Sequence, residues 1–187
     1  MKKSVLIISV IVIIVGMALF VYSEINQTPK TVSHMSGNNL QIFSISSSAF
    51  EDQGNIPSEF TCDGQNVSPP LSITNVPKDA KTMSLIMTDP DTSKGNFTHW
   101  TAWNIPYTKT EFAKGENFDF PQGKTSFGTS GYRGPCPPSG THRYFIQIYA
   151  LDTQLDLSEE SSVADLQNAM SGHVISESSL MGKYSRN

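Results

Sequence analysis

Hydrophobic and polar positions alternate with a period of two along much of the chain, the pattern of half-buried strands. Gln41-Ile-Phe-Ser-Ile-Ser is the first such stretch. In Met83 to Asp89, Met83, Leu85 and Met87 share one face, and Asp89 continues their parity. In Phe97 to Asn104 the same reading puts His99, Thr101 and Trp103 on one face and Thr98, Trp100, Ala102 and Asn104 on the other, with Pro106 ending the strand. His142 to Leu151 is rich in aromatic and β-branched residues, with His142, Tyr144, Ile146 and Ile148 on one face. Between these lie segments without that rhythm. Ser47 to Asn66 is loop-like, and Val67 to Ile73 carries Pro69-Pro70, which predicts an edge or the entry to a strand. Tyr107 to Thr129 is a long connection with short strands in it, and Gly131 to Gly140 is Gly/Pro punctuation that neither helix nor ladder accepts.

Only the end of the chain changes period. Ser161 or Ser162 is placed to cap a helix with Val163, Leu166, Ala169 and Met170 on one stripe, stopped by Gly172. His173 to Met181 reads as a second short helix with Gly182 as its stop. The composite is mainly β, a sandwich or barrel-like class with small C-terminal helices laid beside a sheet.

The N-terminus belongs to another environment. Lys2 and Lys3 precede Ser4 to Ser23, a charge-free run dominated by Ile, Val and Leu. At about 1.5 Å per residue it spans roughly 30 Å, a bilayer core, and the lysines set the cytoplasmic side. Residues 1–23 therefore predict a single-pass signal anchor, with a secreted protein cleaved after Ser23 as the rival. Glu24 to Asn39 is polar and aperiodic, a flexible linker, and 40–187 is the size of one domain outside the cytoplasm. The formal net charge is −4 and no basic run occurs, which argues against a nucleic-acid partner. Cys62 and Cys136 could bridge one loop to the Gly/Pro loop outside the cytoplasm, or stand as two half-buried thiols.

Chemistry concentrates at strand ends. His142 sits where the Gly/Pro loop enters a strand, Asp89-Pro-Asp91 ends another, and His99 lies between aromatics in a third. An ionised Asp89 on a core face demands a partner. Two imidazoles, two carboxylates and a donor-rich loop admit metal binding, acid–base hydrolysis, or the binding of an anion by backbone N–H groups and protonatable histidines. No reaction-specific motif decides between them.

A resemblance separates these readings. Thr61-Cys-Asp-Gly-Gln-Asn-Val-Ser-Pro-Pro-Leu71, Asp89-Pro-Asp91 with His99-Trp100, and Gly134-Pro-Cys-Pro-Pro-Ser-Gly-Thr-His142-Arg143-Tyr144 resemble, in order, motifs of the phosphatidylethanolamine-binding protein family in its prokaryotic, Raf kinase inhibitor-like branch. Ile73 departs from that branch, which often carries Trp there. The resemblance implies an antiparallel β-sandwich with peripheral helices and a small pocket for phosphate, a phospholipid head group or a carboxylate. It implies Asp89, Asp91, His99, Gly134, Pro135, Cys136, Pro137, Pro138, His142 and Tyr144 as residues in or beside that pocket. The expectation is a membrane-tethered binding protein without cofactor or catalytic residue. A regulator of an extracytoplasmic protease is the alternative, and a hydrolase using the His/Asp pocket comes third.

Overall fold

The two-residue alternation is realised as antiparallel sheet, and its hydrophobic positions meet between two layers. The computed structural model describes residues 42–93 and 95–186. The predicted anchor (1–23) and linker (24–39) lie outside them. Among the described residues no helix is long and apolar enough to cross a membrane.

Strands β1 (Ser44–Ser46), β2 (Leu71–Thr74) and β5 (Glu111–Phe112) form a three-stranded sheet in the order β1-β2-β5. Strands β3 (Thr82–Asp89), β4 (Phe97–Pro106), β6 (Thr141–Leu151) and β7 (Val174–Ser185) form a four-stranded sheet in the order β4-β3-β6-β7. The Pro69-Pro70 pair stands just ahead of β2, where neither residue owes the ladder an N–H. Phe43, Ile45, Leu71, Ile73 and Phe112 from one layer pack on Met83, Leu85, Met87, Trp100, Tyr144, Ile146 and Ile148 from the other. That is the main core of a sandwich.

The far face of the four-stranded sheet carries a second, smaller core. Helix α1 (Val163–Met170) lays Leu166 and Met170 on Ile86, Trp103 and Leu151. Its start is a capping box, Ser162 accepting the Asp165 N–H while Asp165 accepts the Ser162 N–H. Because β3 is covered on both faces, every one of its residues is buried.

The second predicted helix is a strand. His173 to Met181 falls largely within β7, which pairs with β6 from Thr141↔Ser185 to Leu151↔Val174. Four polar residues separate its two apolar pairs, Val174-Ile175 and Leu180-Met181, and tertiary pairing with β6 decides the outcome. Gly182, read as a helix stop, lies opposite Tyr144 within the ladder. A Cβ there would come within 2.4 Å of Ile56 and 2.9 Å of Phe50, so the missing side chain lets the preceding loop close over the strand. That loop also covers the outer edge of β7, through Gln53 N–H to Met181 O (2.7 Å) and Ile56 N–H to Lys183 O (2.8 Å).

Two bulges set β4 apart. Between the Met87↔Trp100 and Thr88↔Thr98 pairs β4 has one residue more than β3, and that residue is His99. A second irregularity, between Met83↔Ile105 and Leu85↔Ala102, takes up Trp103 and Asn104, with Asn104 at φ 53°. The Asn104 side chain clamps the chain beyond β6, donating to Leu155 O (2.9 Å) and accepting from Leu155 N–H (2.8 Å).

Candidate functional site

Asp89 reaches the core face at the last position of β3, as its parity requires, and it is 2% exposed. Both of its oxygens are used. Oδ1 accepts the Asp91 N–H at 2.8 Å, an Asx-type turn through the Asp-Pro-Asp segment. Oδ2 accepts from His142 Nδ1 at 2.7 Å, so the burial cost of the carboxylate is offset by a partner at the start of β6.

His99 arrives on the same side by a different route. Uninterrupted alternation would point it away from Asp89, with Thr101 and Trp103. The bulge turns it over, and its ring meets Tyr144 of the main core edge-on with centroids 5.2 Å apart. Its Nδ1–H donates to the Arg133 carbonyl at 2.7 Å, and the Arg133 N–H returns a bond to His99 O at 3.0 Å. The chain beside β4 completes the arrangement. Ser126 N–H donates to Thr98 O, and Thr98 N–H to Ser126 Oγ, both at 2.9 Å. The next residue, Phe127, is thereby set against Phe97 (4.9 Å between centroids) and His99 (5.4 Å).

These side chains enclose one cavity of about 260 Å³, lined by Asp89, Thr92, Ser93, Phe97, His99, Phe127, Cys136, Pro138 and His142. That is smaller than the usual site for a drug-sized molecule. Both rings spend Nδ1 on an acceptor, a carbonyl for His99 and a carboxylate for His142, which fixes the tautomer. Nε2 has no partner among the described residues in either ring. Burial holds His99 below the ordinary imidazole pKa, opposed by its bond to Arg133 and by the Asp89 charge. Tyr144, fully buried, packs edge-on against His99 without lining the cavity, and its hydroxyl has no hydrogen-bond partner among the described residues. Burial first, and then the Asp89 charge, push its pKa up.

The other expected residues stand behind the wall or beside it. Asp91 does not line the cavity. It is gripped by Arg143, whose Nε and backbone N–H each donate to Oδ2 at 2.9 Å and whose guanidinium reaches Oδ1 at 2.6 Å. That fork holds the Asp91 carboxyl down to about 2, the Arg143 hydrogen bond being the main cause. Neighbouring residues of a strand face opposite ways, so His142 serves the pocket while Arg143 ties the outside.

Gly134, Pro135 and Pro137 are buried in the loop that carries the wall residues Cys136 and Pro138. Gly134 N–H donates to Asn66 Oδ1 (2.8 Å), Cys62 N–H to Pro135 O (3.1 Å) and Tyr132 Oη–H to Phe60 O (2.6 Å). A Cβ on Gly134 would fall 2.2 Å from Phe60 O, so only glycine permits this approach. Cys62 and Cys136 are joined as a disulfide across the same two loops. His173 lies apart, bonded to Asp152 at the surface. Among the described residues no three His, Cys, Asp or Glu side chains gather as a metal site.

The sequence reading did not name Thr92, Ser93, Phe97 or Phe127 as pocket residues. Phe97 is two positions before His99, and Thr92-Ser93 directly follows Asp-Pro-Asp, so both could have been inferred. Phe127 sits in an aperiodic connection and left no signal.

Residues 46–185 match the family model described as phosphatidylethanolamine-binding protein. A UPF0098 protein of Methanothermobacter thermautotrophicus is 50% identical over 144 residues, covering 74% of this chain and 95% of that protein. Among solved structures, a phosphatidylethanolamine-binding protein homologue from Chlamydia trachomatis superposes with a TM-score of 0.76 at 36% identity. Escherichia coli YbcL, described as a new member of the mammalian family, gives 0.72 at 26%. Each superposition covers 78% of this chain and 99% of the other.

Proposed function

The chain belongs to the phosphatidylethanolamine-binding protein family, a binding-protein fold, and on that premise we propose that its pocket holds a small anion: phosphate, a phospholipid head group or a carboxylate. The domain does so outside the cytoplasm, tethered by the apolar run Ser4–Ser23, without catalysing a reaction on what it binds. One observation carries the reading. Two imidazoles, each fixed through Nδ1, line the same small cavity with Nε2 unclaimed among the described residues, and Asp89 supports one of them.

The protonation state follows from that geometry. A neutral ring whose Nδ1–H is committed offers only a lone pair at Nε2, which repels a fully ionised ligand. An anion is therefore held by imidazolium, and because burial disfavours the charged form of His99 in the free pocket, binding takes up protons. Affinity should fall as pH rises from below the ordinary imidazole value of 6.5 and on through neutrality, by up to about tenfold per pH unit for each proton taken up. Calorimetry with sulfate and with glycerophosphoethanolamine, neither of which titrates in this range, tests it. His142→Gln should abolish binding, and His173→Gln should leave it unchanged. Affinity that is independent of pH, or intact in His142→Gln, overturns the assignment.

A further inference from the structure

A second cavity of about 140 Å³ adjoins the first, lined by Cys62, Asn66, Phe127, Arg133, Gly134 and Cys136. Phe127 and Cys136 belong to both, so the two are separated by one aromatic ring and one disulfide. We propose that this cavity is a carboxylate subsite, and that the ligand is a small phosphoester carrying a carboxylate a few bonds from its phosphoryl group. The proposal rests on the anion-pocket reading above and names the class of ligand that pocket takes.

No acid among the described residues satisfies its donors. The Arg133 guanidinium stands 5.9 Å from the Phe127 ring centroid and has no carboxylate partner among the described residues. The other two arginines, Arg143 and Arg186, both pair with one. On the same wall Asn66 receives the Gly134 N–H through Oδ1, which turns its other terminal group, an N–H₂ donor, to the remaining side. A planar guanidinium fork with an amide donor beside it matches a carboxylate.

The subsite is also fixed relative to the phosphoryl site. Arg133 is the residue whose carbonyl orients His99 and whose N–H bonds back to it. Its side chain passes over Phe127, and that ring touches the His99 ring edge-on at 5.4 Å. One backbone position thus holds both the imidazole and the guanidinium against Phe127. Because the two cavities share Phe127 and Cys136 as wall residues, a ligand reaching both needs only a short span between its two anionic groups.

O-phosphoserine and O-phosphoethanolamine differ only by a carboxylate, so their ratio of affinities isolates the subsite. Isothermal titration at one pH should show phosphoserine binding the full-length protein about three- to tenfold more tightly, as one charge-assisted contact at a partly exposed site allows. Arg133→Gln should bring the two affinities together by weakening phosphoserine alone, while Arg133→Lys should keep part of the preference and Arg186→Gln all of it. Equal affinities in the wild type, or a preference that survives Arg133→Gln, overturn the subsite and leave the anion pocket standing. Failure of both ligands overturns the pocket reading and the subsite with it. The corresponding glycerophosphodiesters separate the sources: a preference kept in the diester pair assigns the site to lipid head groups, and one confined to monoesters assigns it to free phosphoesters.

Discussion

Replacing both cysteines, Cys62→Ser with Cys136→Ser, removes the covalent tie between the entry loop and the Gly/Pro loop. The bond spans a sequence separation of 74. Closing a loop of that length in the unfolded chain is worth about 4.5 kcal/mol at 25 °C on the chain-entropy relation. In the folded protein the same loops remain joined by Gly134 N–H to Asn66, Cys62 N–H to Pro135 O and Tyr132 to Phe60. Cys62 is exposed, so its truncation leaves no cavity at that end. The loss should therefore come mainly through the unfolded state and amount to about 2–4 kcal/mol, on the order of 10 °C in Tm for a domain of this size. Denaturant unfolding of the oxidised protein and the double variant measures it. The variant should also show a larger m-value, since an uncrosslinked denatured chain exposes more surface. A loss below about 1 kcal/mol with an unchanged m-value would refute the reasoning, because the loops would then be held by their hydrogen bonds alone.

Gly182→Ala should cost about 1–3 kcal/mol in denaturant unfolding, since its Cβ would overlap Ile56 and Phe50 in the core; a neutral result would mean that the covering loop yields freely. Asp91→Asn should remove a component of acid sensitivity. The folded Asp91 carboxyl titrates near 2, below its ordinary 3.8, so its tie to Arg143 contributes stability above the higher value and loses it as pH falls through the lower. Thermal melts between pH 5 and 2 should be flatter for the variant, and parallel curves would contradict the tie.

Much of the frame was legible because β3 and β6 alternate without interruption, and uninterrupted alternation fixes the face of every residue. Asp89 and His142 could therefore each be placed on one face of its own strand, and a buried carboxylate demanded a partner, which proves to be His142. The N-terminal end of α1 was readable to within one residue, Ser161 or Ser162, since a cap is local chemistry, and the structure settles it on Ser162 with Asp165. What resisted reading was non-local. β7 is a strand because β6 offers it a ladder, and no periodicity within His173 to Met181 records that. Asp91 was grouped with the pocket through its motif, whereas the Arg143 fork that claims it depends on two chain segments meeting. Phe127 becomes a pocket wall only because Ser126 is bonded to Thr98.

His99 shows most clearly how the site depends on an irregularity. A regular β4 would deliver it to the α1 side of the sheet with Trp103, leaving Asp89 and His142 as a single buried pair with one free Nε2. One additional residue in β4 reverses that and places a second imidazole in the same cavity. The bulge stays in place because its neighbours are pinned: Thr98 by Ser126 on one side, and His99 itself by the two-way bond with Arg133. Those ties lie beyond the cavity wall, so they hold the imidazole without occupying the space a ligand needs. The same backbone position then carries the guanidinium past Phe127 to the adjoining cavity. On the proposed reading, anion binding and discrimination between anions both depend on the ties of β4 to Ser126 and Arg133, a physical reason for the two to change together when those ties are altered.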